Sequence, residues 1–168
     1  MSTTKKKIKH RLGEIELKDI VFVSDPIYFP GIWCQAAIEG IKSGKWIGFM
    51  YKKDTGKDWG TRVTDLWITH EDYQDEFPTL YVKDVEIGVD SAKAGFFDSD
   101  YFLEHHKGEL DSDWADRLYE ATKTGEGDGA MIDGKCVIST SGLGDGGYNL
   151  YESQNSEGET VALRIKFI

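Results

Sequence analysis

The stretch Thr160-Val161-Ala162-Leu163-Arg164-Ile165-Lys166-Phe167-Ile168 alternates with a period of two. Val161, Leu163, Ile165 and Phe167 fall on one side, Arg164 and Lys166 on the other. Successive side chains of a strand point to opposite faces, so the pattern predicts a β-strand with one face in a core. Residues 148–152 form a second such segment, and Asn155-Ser156-Glu157-Gly158 lies between the two as a turn, which completes a closing hairpin.

Residues 44–53 (Gly-Lys-Trp-Ile-Gly-Phe-Met-Tyr-Lys-Lys) are dense in aromatic residues. The polar turn Asp54-Thr55-Gly56-Lys57-Asp58 follows, and Val63, Leu66, Trp67 and Ile68 then resume the apolar pattern, which predicts another hairpin. One strand is expected over residues 14–23, ending at Ser24-Asp25-Pro26, and two more over 79–82 and 85–90. Residues 130–140 read as a strand pair around the tight-turn dipeptide Asp133-Gly134. Residues 31–43 are ambiguous, because Trp33, Ala37 and Ile41 keep helical spacing over a short span ending at Gly44.

A single clear helix lies near residues 111–123. Asp111 or Ser112 caps it, Asp113 and Asp116 occupy its first turns, and Trp114, Leu118 and Ala121 share one face. Gly125, Gly127 and Gly129 mark its stop. The fold class that follows is mainly β: a sandwich or strongly bent antiparallel sheet with that one helix.

The chain has 168 residues, enough for one domain with a real core. Its formal net charge is −10, from 20 Lys+Arg against 30 Asp+Glu. Five of the bases (Lys5, Lys6, Lys7, Lys9 and Arg11) lie in an acid-free N-terminal segment. The expected organisation is therefore a basic flexible tail over residues 1–12 and a β-rich domain over 13–168, the latter strongly acidic. Such a body repels phosphate backbones and favours a protein partner with a basic surface, not nucleic acid. No apolar run is long enough for a membrane helix, and the basic N-terminus lacks the apolar core of a secretory signal. A cytoplasmic location is expected, with Cys34 and Cys136 as buried free thiols.

Phosphate loops, zinc-protease helices, EF-hand loops and nucleophile elbows are absent from the sequence, so no catalytic residue is assigned. Four aspartates, Asp25, Asp90, Asp98 and Asp145, sit at strand ends and turns. Gathered at one mouth they would suit Ca²⁺ or Mg²⁺, or acid/base work in a hydrolase-like site; taken singly they bond their own turns. The loop Ser141-Gly-Leu-Gly-Asp-Gly-Gly147 carries Gly142, Gly144 and Gly146 ahead of Tyr148, but it joins two strands and opens no helix, so the dipole argument for a phosphate does not apply. Other pairings considered are His106 with Asp98 or Asp100 as a metal site, and Cys34 with His70 as a nucleophile and its base. Trp59, in a Gly/Asp turn, is the candidate aromatic contact for a sugar or a protein.

Four segments taken in order carry a resemblance: Ser24-Asp25-Pro26-Ile27-Tyr28, then Gly44-Lys45-Trp46, then Val89-Asp90-Ser91-Ala92-Lys93-Ala94-Gly95-Phe96-Phe97-Asp98, then Ser141 to Tyr148. Together they resemble a family of bacterial and phage proteins of unknown function. The resemblance adds weight to Asp25, Asp90, Asp98 and Asp145 and implies no activity. This chain has Ile27 where the family pattern has cysteine. The expectation is thus a domain that acts by binding, with a metal-dependent site and a carbohydrate surface as alternatives.

Overall fold

A computed structural model describes residues 5–123 and 127–168. In chain order the strands are β1 (Ile8–Leu17), β2 (Ile20–Ser24), β3 (Ala36–Glu39), β4 (Gly44–Asp54), β5 (Thr61–His70), β6 (Tyr81–Val89) and β7 (Lys93–Asp98). The helices α1 (Ser99–Glu104) and α2 (Ser112–Ala121) follow, then β8 (Gly129–Ile132), β9 (Cys136–Thr140), β10 (Gly146–Gln154) and β11 (Thr160–Lys166). Two antiparallel sheets result, one of six strands in the order β1-β4-β5-β11-β10-β6 and one of five in the order β3-β2-β7-β9-β8. They pack face to face as a sandwich-like, mainly β fold.

The core between the sheets is built from alternating positions. Met50, Leu66, Ile68, Leu163 and Ile165 from the larger sheet meet Val21, Val23, Phe96 and Val137 from the smaller. β11 behaves as its alternation requires: Val161, Leu163, Ile165 and Phe167 are buried. The turn at Asp133-Gly134 has both residues at positive φ (55° and 65°), and the Lys135 amide closes it by donating to the Ile132 carbonyl at 3.0 Å.

A second apolar cluster lies on the far side of the smaller sheet. Phe22, Phe97, Cys136 and Ile138 are covered there by Tyr101, Phe102, Trp114 and Leu118 of the two helices. This layer explains why β7 and β9 are buried at every position and show no alternation. The predicted helix is α2: Asp111 accepts from the Trp114 amide at 3.1 Å, and Trp114 and Leu118 face inward. Gly125 lies outside the described residues. A second helix, α1, where only one was expected, is capped by Asp98.

Several expectations need correction. Residues 8–12, assigned to a flexible tail, begin β1 and pair with β4 from Ile8↔Lys52 onward. The lysines on alternate residues are anchored on that sheet: Lys5 bonds Asp54, Lys7 bonds Asp65 at 2.8 Å, and Lys9 lies over the Phe49 ring. Residues 1–4 lie outside the described residues. The single strand expected over 14–23 is two, β1 and β2, because at Lys18-Asp19 the chain leaves one sheet for the other. Residues 79–82 and 85–90 belong mainly to one bulged strand, β6, and the ambiguous segment 31–43 holds β3. Among the described residues no helix is long and apolar enough to cross a membrane.

The outer face of the larger sheet carries an ion cluster that stitches β1, β5 and β11. Asp65, 1% exposed, accepts from Lys7 at 2.8 Å, from the Thr64 hydroxyl at 2.5 Å and from Arg164 Nε at 2.6 Å, and Arg164 lies over Trp67 and Tyr151. Burial pushes the Asp65 carboxyl up, but these donors outweigh it and hold it below the ordinary carboxylate value. A carboxyl lowered by folding stabilises the fold above its unfolded value, near ~3.9, and loses that contribution as pH falls through the folded one. Asp65→Ala should therefore cost about 2–4 kcal/mol in urea unfolding at pH 7, with the difference from wild type shrinking below pH ~4. A cost that stays constant from pH 7 to pH 3 would rule out the ion cluster as its source.

Candidate functional site

β2 ends at Ser24, and the chain turns at Asp25-Pro26. Proline fixes its own φ and has no N–H to extend a ladder, so the strand stops here. Asp25 is fully buried and its carboxylate takes four donors. Oδ1 accepts from the Ile27 amide at 3.0 Å and the Ser91 hydroxyl at 2.8 Å. Oδ2 accepts from the Asp90 and Ser91 amides, each at 2.7 Å. One side chain thus binds its own turn and the β6–β7 turn 65 residues away. Burial raises its carboxyl above the ordinary range against the pull of the four donors.

Two more segments close on the same point. Tyr28 donates its hydroxyl to Asp90 at 2.6 Å, and burial together with Asp90 pushes that phenol well above its usual range, so it remains the donor. Asp145 accepts from the Ala92 amide at 3.0 Å, and the Ala92 carbonyl accepts from the Ser141 amide at 3.0 Å. Ala92 sits at φ 60°, a left-handed conformation unfavourable for a residue with a Cβ. The surrounding bonds from Asp25 and Asp145 hold the turn in that state.

Of the four candidate aspartates, Asp25, Asp90 and Asp145 are brought together and Asp98 is not. Asp98 lies at the far end of β7, where it caps α1 through the Tyr101 amide at 3.4 Å. The convergence is a hydrogen-bonded turn in which the Asp25 oxygens are fully used. Among the described residues no group of three His, Cys, Asp or Glu side chains is placed to hold a metal ion.

The glycine loop leaves β9 in the smaller sheet and enters β10 in the larger one. Gly142 (φ 71°) packs so closely that a Cβ would lie 2.6 Å from the Val63 carbonyl oxygen. Gly144 accepts at its carbonyl from the Tyr148 and Ser141 hydroxyls, both at 2.6 Å, which folds the loop back on itself.

Beside this junction is an open cleft of about 590 Å³, lined by Tyr28, Ile32, Trp33, Cys34, Glu86, Gly88, Val89, Asp90, Asp145, Gly146 and Gly147. Gly88 pairs with Gly147, so the floor is largely bare backbone. A Cβ on Gly88 would lie 2.5 Å from the Cys34 sulfur, and one on Gly147 would run into the Glu86 carboxylate. The lining contains three acids and no base. Gln35 braces the wall, donating to Ser24 Oγ at 2.9 Å and accepting from the Gly31 amide at 3.0 Å. Cys34 is buried against the floor, whereas Trp33 beside it is 83% exposed.

Trp33 does not stand out in the sequence because residues 31–43 keep an accidental helical spacing, and Glu86 does not because it is one acid within an expected strand. The Pro30-Gly31 pair was the available signal, since it marks a loop in which neighbouring side chains diverge. Trp59 is 54% exposed, but Arg62 lies over its ring and donates to its carbonyl. His70 has both ring nitrogens engaged, at the Ser43 carbonyl and the Asp72 amide, and packs against Trp46 and Tyr73. His106 spans the Phe102 and Pro26 carbonyls. Both thiols are free and buried, and burial pushes Cys136 up to about 12. No family model, no curated protein and no solved structure matches the chain.

Replacing Asp25 by Ala would take the acceptor from the part-buried Asp90 and Ser91 amides and the Ser91 hydroxyl and should cost about 2–4 kcal/mol in urea unfolding. Asp98→Ala, the loss of a helix cap, should cost about 1 kcal/mol. Equal costs for the two would contradict this division between a buried junction and a helix cap. Gly88→Ala should expel Cys34 from the floor, read as faster alkylation of that thiol under native conditions.

Proposed function

We propose that this domain is a binding module that engages a basic segment of another protein through the Trp33 cleft. The observation that carries the reading is the cleft lining: Glu86, Asp90 and Asp145 face it with no basic residue, next to the most exposed tryptophan described. Tyr28 uses one Asp90 oxygen and Ala92 one Asp145 oxygen, which leaves an oxygen on each for a ligand. A lysine or arginine head would meet carboxylates there and lay its cationic end on the indole face, a contact that strengthens as the site is desolvated. The net charge of −10 would steer such a partner toward the domain over the distance of a Debye length.

Intrinsic fluorescence and calorimetric titration with a tetra-arginine peptide test this directly. Binding should weaken as salt is raised, fall about tenfold or more in Trp33→Ala and Glu86→Gln, and be absent for a tetra-glutamate peptide. Equal binding of the acidic peptide, or no binding of the basic one at low salt, would refute the reading.

A further inference from the structure

The strand that forms the cleft floor is also an edge. β6 is the last strand of the larger sheet, and among the described residues it pairs along one side only, with β10. Elsewhere, backbone groups at or near a sheet edge find partners within the domain. β1 is tied to the β8–β9 turn through its Glu16 amide and the Gly134 carbonyl, and the segment after β3 bonds Thr160 of β11. On the free side of β6 the Gly88 amide donates to the Cys34 carbonyl at 2.9 Å, which shows that Gly88 directs its backbone groups outward.

Outward groups recur at every second residue of a regular antiparallel strand. Glu86 therefore presents the same pair, and Val82, opposite Tyr151 beyond the bulge, does so again. Tyr81 is 69% exposed and Val82 58%, so this edge also carries uncovered apolar surface. Edge strands of this kind are usually blunted or covered, because they template the addition of another strand. The bulge between Glu86 and Val82 and the charges of Lys83 and Asp84 limit how long such an addition can be.

Resting on the binding role above, we propose that the partner segment binds in extended form along β6, as a short added strand with its cationic side chains directed at Glu86 and the Trp33 cleft. The commitment to a basic segment of another protein rests on charge. A second copy of this acidic chain would bring Asp84, Glu86 and Asp90 against their own counterparts. Backbone bonds would then supply affinity and the acidic cleft the choice of side chain.

A heptapeptide alternating lysine and valine should bind antiparallel to β6, and the same peptide N-methylated at its lysines, whose amides face β6 when their side chains lie on the Glu86 face, should bind about tenfold or more weakly, because its ladder donors are gone. Amide exchange at Val82 and Glu86 should slow on binding. Val82→Pro, tolerated because that amide faces the open edge, should weaken the first peptide alone, with folding checked by circular dichroism. Equal affinity for the two peptides, with Trp33→Ala still disruptive, would overturn strand addition and leave the cleft reading intact. Failure of both to bind at low salt would overturn the two together, and dimerisation abolished by Val82→Pro would overturn the choice of partner and assign the edge to a second copy.

Discussion

A carboxylate withdrawn from water keeps its charge only where each lone pair meets a donor, and Asp25 meets four. That requirement fixes more than one side chain. It sets the path of the chain after β2, holds the β6–β7 turn against its strand ends, and keeps Ala92 in a backbone state it would not choose alone. The glycine loop is then bound to the same turn through Asp145 and Ser141. The smaller sheet contributes β2 and β7 and the larger contributes β6 and β10, so this one anion links the two layers at their open end.

The cleft depends on what is missing from its floor. Gly88 and Gly147 face each other across two strands, and no other residue would leave room for the Cys34 sulfur and the Glu86 carboxylate. Charge is partitioned in the same molecule. On the outer face of the larger sheet the N-terminal lysines and Arg164 offset Asp54 and Asp65, whereas the acids around the cleft have no such neighbours in its lining. The cleft thus sets three acids against bare backbone with no base in its lining.

Much of the fold was legible because period-two patterns report a sheet with one buried face. β11, the β4–β5 hairpin and the Asp133-Gly134 turn were readable on that ground, and α2 on its cap and its Trp114–Leu118 spacing. β7 gave no alternation, since Phe96 faces the other sheet while Phe97 faces the helices. The break at Lys18-Asp19 was hidden because the apolar pattern runs on through it. At the site, turn chemistry pointed to Asp25, Asp90 and Asp145, and their meeting depends on contacts some 65 residues apart that no local pattern records. Asp98 looked equivalent to them because a helix cap and a strand-end aspartate share the same short sequence context. Trp33 was masked by a helical spacing that the Pro30-Gly31 turn defeats.

The order of strands in the larger sheet also sets an order in time. β4–β5 and β10–β11 are local hairpins, but they are joined only where β5 meets β11, with Arg164 opposite Trp67. A ribosome releasing this chain would complete the first hairpin long before its central neighbour exists. Until β11 arrives, the inner edge of β5 is an unfinished strand with Leu66 and Ile68 uncovered, and closing that gap carries the entropy of a loop of roughly a hundred residues. Of all the segments in the domain, the last strand to be synthesised is the one on which closure of the larger sheet waits.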